Sequence, residues 1–118
     1  MLAQISEDGP FSTELHGPAY HTYQRCRAYM ENNYVSLSKI DEMASLCHVS
    51  AAYLTRLFKR FCGESPCNVL LRLKMNAAAV QLLRNDSMIK EVADQLGYSD
   101  AYHFSKAFKK VHGIAPLY

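Results

Sequence analysis

A chain of 118 residues with 49% apolar content amounts to about one ordinary domain with enough apolar side chains to fill a core. No uninterrupted apolar run approaches the roughly 18 residues of a membrane span, and no basic start precedes an apolar stretch, so a soluble, cytoplasmic chain without a membrane partner is expected. The net charge of +2 is uneven: residues 1–18 hold Glu7, Asp8 and Glu14 with no Lys or Arg, and the rest carries thirteen basic against eight acidic residues, which suits a polyanionic partner.

In chain order, residues 1–18 contain Gly9-Pro10 and Gly17-Pro18 without sustained periodicity and read as a linker or flexible arm. Order is expected from Ala19. Tyr23, Cys26, Tyr29 and Met30 then recur at helical spacing as far as Asn32-Asn33, giving a first helix of roughly three to four turns. No strand-like alternation follows, so the fold class is all-α.

The strongest pattern is an internal repeat. Ser38-Lys39-Ile40-Asp41-Glu42-Met43-Ala44 aligns with Ser87-Met88-Ile89-Lys90-Glu91-Val92-Ala93 at an offset of 49. Each copy has a Ser suited to cap a helix, and Asp41, three residues after Ser38, imitates a capping box. The register runs on through Cys47-His48-Val49-Ser50 and Leu96-Gly97-Tyr98-Ser99. One residue is inserted in the second copy there, and from Leu54 and Phe104 onward the offset is 50. Both copies close with a Gly three residues before a Pro, Gly63 to Pro66 and Gly113 to Pro116. A short helix, a tight turn and a second helix stopped by Gly is the grammar of a helix-turn-helix. Gly97 suits a turn needing positive φ, whereas His48 in the same place predicts strain.

The second helix of each copy has two faces. Leu54, Leu57, Phe58 and Phe61 form one apolar stripe, and Phe104, Ala107, Phe108 and Val111 form the other. Displaced by two positions stand Ala52, Thr55, Arg56 and Lys59 in one copy and Tyr102, Ser105, Lys106 and Lys109 in the other. Small residues, hydroxyls and cations on one stripe equip a helix to lie in a major groove. Solvation would account for such a stripe on a single helix, but not for the same order at matched positions of two. With Ala51 and Ala101 at the helix starts added, these ten are the candidate DNA-binding residues. His103 adjoins the second stripe, with partial packing in the manner of Tyr53 as its alternative.

Between the copies, Ser65 can cap and Pro66 suits a first turn, so a long helix is expected over residues 65–85. It is apolar on nearly every side apart from Asn68, Arg72 and Asn76, as a rod joining two lobes would be. Its neighbours would be helix-turn-helix subdomains over residues 19–64 and 86–118, about seven helices in all.

These residues resemble the AraC/XylS family of transcription regulators. The likeness covers residues 20–118 and rests on Val49-Ser50 with Tyr53-Leu54-Thr55-Arg56-Leu57-Phe58-Lys59, Gly63 with Ser65-Pro66, and Lys74 with Ala78. It continues in Ile89-Lys90-Glu91-Val92-Ala93, Gly97-Tyr98-Ser99-Asp100, Phe104-Ser105-Lys106 and Phe108-Lys109-Lys110. The resemblance implies two lobes flanking a linker helix, recognition helices in successive major grooves, and an N-terminal sensor or dimerisation domain joined to this one. Three departures stand out: Lys74 where the family usually has Arg, His48 where a turn Gly is common, and an end at Pro116-Leu117-Tyr118 one residue short of the usual pattern.

The expected function is therefore sequence-specific binding of double-stranded DNA by a bacterial transcription regulator, with RNA polymerase as a further contact. The competing reading is a helical protein-interaction module. No carboxylate pair, HExxH, nucleophile motif or phosphate-cradling Gly loop points to an enzyme, and no cofactor is expected. Cys26, Cys47, Cys62 and Cys67 lack CxxC spacing, and three of them fit a helical core, so reduced buried thiols are expected; Cys62 and Cys67 with His112 match no usual zinc spacing.

Overall fold

Helix starts and stops follow from a few side chains. The computed structural model describes residues 17–84 and 88–116, so most of the expected arm, Ser87 and the last two residues lie outside the described residues. Helix α1 is Pro18–Asn33, with Gly17 at the cap and Pro18 in the first turn, where its missing N–H costs nothing. Helices α2 (Ile40–Leu46) and α3 (Ala51–Cys62) form the first helix-turn-helix. Helix α4 is Pro66–Arg84, and α5 (Ile89–Gln95) and α6 (Ala101–His112) form the second. The described residues contain six helices; the last is stopped by Gly113 at φ 82°, and no further helix follows it as far as Pro116.

Serines cap two helix starts, and of these the one at Ser65 is as expected. Ser50 Oγ accepts from Tyr53 N at 3.0 Å, and Ser65 Oγ accepts from Asn68 N at 3.2 Å. In the second copy the cap of α6 is Asp100, whose Oδ1 accepts from His103 N at 2.9 Å. Since α3 and α6 both span twelve residues and start fifty positions apart, the inserted residue sits in the turn, just before the cap. Ser38 does not cap α2. Lys39 occupies the cap position with extended backbone and no side-chain bond, which puts Asp41 and Glu42 inside the first turn. There they face the positive end of the helix dipole instead of closing a capping box. For α5 the cap residue is Met88, whose N–H donates to Glu91 Oε1 at 3.1 Å.

The turns repeat bond for bond. Cys47, His48 and Val49 donate to Met43, Ser45 and Ala44, and Leu96, Gly97 and Tyr98 donate to Val92, Asp94 and Ala93. The pivot is left-handed in both: His48 at φ 62° and Gly97 at φ 88°. A side chain in that region costs roughly 1–2 kcal/mol, and glycine gives back part of the gain through unfolded-state entropy of roughly 0.4–1 kcal/mol. His48→Gly should therefore raise stability by about 0.5 kcal/mol, a gain of about 2–4 °C in Tm. Calorimetry showing a lower Tm would mean that the imidazole holds the turn.

Two cores result, and α4 divides between them. Tyr23, Cys26, Met30, Met43, Leu54, Leu57 and Phe58 pack with Val69 and Leu70 from the start of α4. Met75 and Ala78, later in α4, pack with Ile89, Val92, Leu96, Phe104 and Phe108. The linker is thus not a free rod: its first half closes the first lobe and its second half is a structural helix of the second. Nor is it covered to its end, since Val80 is 50% and Leu83 84% exposed. Of the cysteines, Cys26 and Cys47 are buried and Cys62 half-buried, but Cys67 is exposed, because position 67 follows Pro66 on the outer side of α4. No helix among the described residues is long and apolar enough to cross a membrane.

Candidate nucleic-acid interface

Helix α3 buries Leu54, Leu57 and Phe58 and half-buries Phe61, so the opposite face is left to solvent. Ala52, Arg56 and Lys59 are exposed on it and Thr55 is half-buried. Helix α6 repeats the pattern: Phe104 and Phe108 are buried, Tyr102, Lys106 and Lys109 exposed, and Ser105 half-buried. Eight of the ten candidate residues therefore share one face of their helix, as the i+3 and i+4 spacing predicts. Ala51 and Ala101 lie differently, half-buried and packed against the first and second cores. Their position at the first helical residue turns them toward the turn, and Ala52 and Tyr102 stand outermost in the first turns.

The polar groups on these faces are not equally free. Thr55 Oγ1 donates to Ala51 O at 3.0 Å, so its hydroxyl is committed to its own helix in the unbound chain. The Arg56 guanidinium lies 5.6 Å from the Tyr53 ring centre, and Lys106 Nζ lies 5.3 Å from that of Tyr102. Each cation thus leans on an aromatic face one helical turn back, which limits its rotamers. His103 does not pack as Tyr53 does. It is exposed, and its Nδ1 lies 2.8 Å from Asp100 Oδ1. The His103 amide and ring together hold the Asp100 carboxyl below its ordinary pKa.

Charge separates these faces from the rest of the molecule. Arg27 pairs with Glu31 at 3.1 Å and Arg72 pairs with Glu64, which neutralises cations of α1 and α4. Among the described residues no carboxylate pairs with Arg56, Lys59, Lys106 or Lys109. Exposed Lys110 extends the charge along α6, and Arg60 holds the matched place on α3. Fifty positions apart, they could have been found by following the repeat beyond the stripe itself.

Two further polar contacts hold the helix-turn-helix units in place, and reading the stripes alone passes over both. Arg25 Nη1 donates to Cys47 O at 2.8 Å, and Lys74 Nζ donates to Leu96 O at 3.1 Å. Lys74 is only 6% exposed, and burial pushes its amine below the usual lysine range. It ties α4 to the turn of the second lobe.

Comparison with known proteins agrees with this architecture. The family described as "Helix-turn-helix domain" matches residues 43–117. The raffinose operon transcriptional regulatory protein RafR of Pediococcus pentosaceus is 32% identical over 91 residues, 77% of this chain and 33% of that protein. The uncharacterized HTH-type transcriptional regulator YidL of Escherichia coli is 39% identical over 77 residues, 65% of this chain and 26% of that one. The chain thus spans about a quarter to a third of the length of these curated relatives. Among solved structures, the C-terminal domain of AraT, a response regulator from Geobacillus stearothermophilus, superposes with a TM-score of 0.76 at 31% identity, covering 85% of this chain and 84% of that one. The family match, the identity to the curated regulators and the structural likeness lead to one conclusion: this chain belongs to the AraC/XylS family of helix-turn-helix transcription regulators.

Proposed function

We propose that this chain is the DNA-reading part of a bacterial transcription regulator, binding a specific double-stranded site with α3 and α6 in successive major grooves. The observation that carries the reading is the pair of matched outer faces, each bearing two exposed cations that no carboxylate of the described residues neutralises. An unpaired cation stripe on a helix narrow enough for the major groove serves both phosphate attraction and base reading. The roles divide by chemistry. Arg56 has the planar fork that grips guanine O6 and N7, Tyr102 and Ala52 offer apolar contact to thymine methyls, and Lys59 and Lys109, a turn further along, suit phosphates.

The rest of the reading concerns the whole regulator. The curated relatives are about three to four times longer than the matched segment, which supports a sensor or dimerisation domain elsewhere in the full protein. RNA polymerase as a contact, a cytoplasmic location and the absence of catalysis complete the proposal, in keeping with relatives that are named as regulators.

Selection from a random duplex pool tests this directly. An enriched asymmetric site is expected, bound with an affinity that falls steeply as salt rises. On that site Arg56→Ala should cost about 1–3 kcal/mol and relax preference at one base pair, while Lys59→Ala weakens all sequences evenly and lowers the salt slope by about one. No enrichment, or affinity indifferent to salt, would favour the protein-interaction module instead.

A further inference from the structure

The repeat is longer than the helix-turn-helix. Arg25 and Lys74 stand 49 positions apart, as do the carbonyls they hold, Cys47 O and Leu96 O. The next residues, Cys26 and Met75, are both fully buried, one in each core. Helix α1 and the second half of α4 are therefore equivalent elements, and each unit consists of a supporting helix with its helix-turn-helix. The cation is the polar link that recurs at matched positions of both units, and in the second unit Gln81 to Gln95 and His112 to Met75 stand beside it.

Its target explains its use. Cys47 and Leu96 end α2 and α5, where a carbonyl has lost its intrahelical partner and carries the negative end of the helix dipole. The next residue in each case is the left-handed pivot, His48 or Gly97, after which α3 or α6 begins within a few residues. A donor clamped to that carbonyl fixes the plane of the peptide from which the turn departs. It thereby fixes the direction of the recognition helix relative to its supporting helix. Burial argues the same way: Lys74 is the buried charged residue among the described ones, it gains no carboxylate partner, and its amine meets this carbonyl. A methionine would fill the same volume without the cost of desolvating a charge.

We propose that Arg25 and Lys74 are positioning residues, each setting the angle at which one recognition helix is presented to DNA. The inference rests on the DNA-binding reading above. It implies that the two can be uncoupled separately: Arg25→Met should affect only the sub-site read by α3, and Lys74→Met only that read by α6.

The experiment takes the 118-residue chain and its own selected duplex, with single base-pair substitutions across both sub-sites. Discrimination is expected to flatten about tenfold at one sub-site in each variant and to stay within about twofold of the parent at the other. Arg25→Lys and Lys74→Arg, which keep a charged donor, should restore it. Amide hydrogen exchange should quicken at His48 and Val49 in the first variant and at Gly97 and Tyr98 in the second. Where circular dichroism shows a methionine variant to be unfolded, Arg25→Gln or Lys74→Gln takes its place with the same one-sided expectation. Equal flattening at both sub-sites, or a loss of binding that only tracks the unfolded fraction, overturns the assignment. A parent chain that enriches no duplex overturns instead the function on which it rests.

Discussion

Replacing Phe104 with alanine should remove about 3–5 kcal/mol of stability, the range for deleting a fully buried aromatic ring. Phe104 has no exposed surface and sits in the centre of the second core with Met75, Ala78, Val92 and Ala93. Its ring meets Tyr98 edge-on at 5.8 Å and Phe108 at 5.9 Å between centres, so the deletion also forfeits aromatic contacts. These neighbours come from three helices and a turn, which restricts how far any one can move to fill the void. The loss should be confined in space as well. From α4, Val69 and Leu70 belong to the first core and Leu73 packs against it, and Phe58 there keeps its own partner, Tyr23, at 5.1 Å. Urea unfolding followed at both lobes should therefore show the second lobe melting first in Phe104→Ala. A loss below about 1.5 kcal/mol, or a single transition reported equally by both lobes, would mean that α4 couples the cores more tightly than their separate packing implies.

That the two lobes are built alike was legible because the pattern is local. Apolar residues at i, i+3 and i+4 define a buried face whatever lies behind it, and Gly63 and Gly113 end their helices for reasons contained in their own backbones. The shift in offset from 49 to 50 even located the insertion, which the structure puts beside the cap at Asp100. Other features were not legible, and each depends on something beyond local pattern. Helix α4 is apolar nearly all round, so no periodicity says which turn faces which core, or that Leu83 faces neither. Lys39 and Met88 hold the cap positions because the backbone there is extended, a property that the presence of Ser38 one residue earlier does not report. The candidate site divides in the same way. Faces follow from spacing, but the turning inward of Ala51 and Ala101, and the commitment of the Thr55 hydroxyl to Ala51 O, depend on packing at the helix start. The link from Lys74 to Leu96 joins residues 22 apart in sequence and becomes visible only once both helices are in place.

The second large effect concerns α4 as the element that sets the distance between the recognition helices. Two units fixed to one helix both reach base edges only if they address grooves about one DNA turn apart, near 34 Å. Because the copies differ in sequence, as Arg56 against Lys106 and Ala52 against Tyr102 show, the site should contain two unlike sub-sites about 10 base pairs apart. Bending of the duplex, at a cost of order 1–6 kcal/mol, can bring the second groove into reach. Ala78→Pro attacks this arrangement at the middle of α4. Proline removes one backbone donor and drives its ring against the carbonyl four residues earlier, that of Lys74, at a cost of about 3 kcal/mol or more. Since Ala78 is fully buried in the second core, the larger ring has no room there either. Circular dichroism must show that the first lobe remains helical before binding is interpreted. The measurement then compares the selected duplex with one carrying about five extra base pairs between the sub-sites, half a turn that moves one groove to the far side. The parent chain should lose about 10²-fold or more in affinity on the lengthened duplex, because linked binding collapses to that of a single unit. In Ala78→Pro the two duplexes should bind almost alike, both weakly. Undiminished binding of the parent chain to the lengthened duplex would show that α3 and α6 do not act as a coupled pair and that α4 sets no spacing.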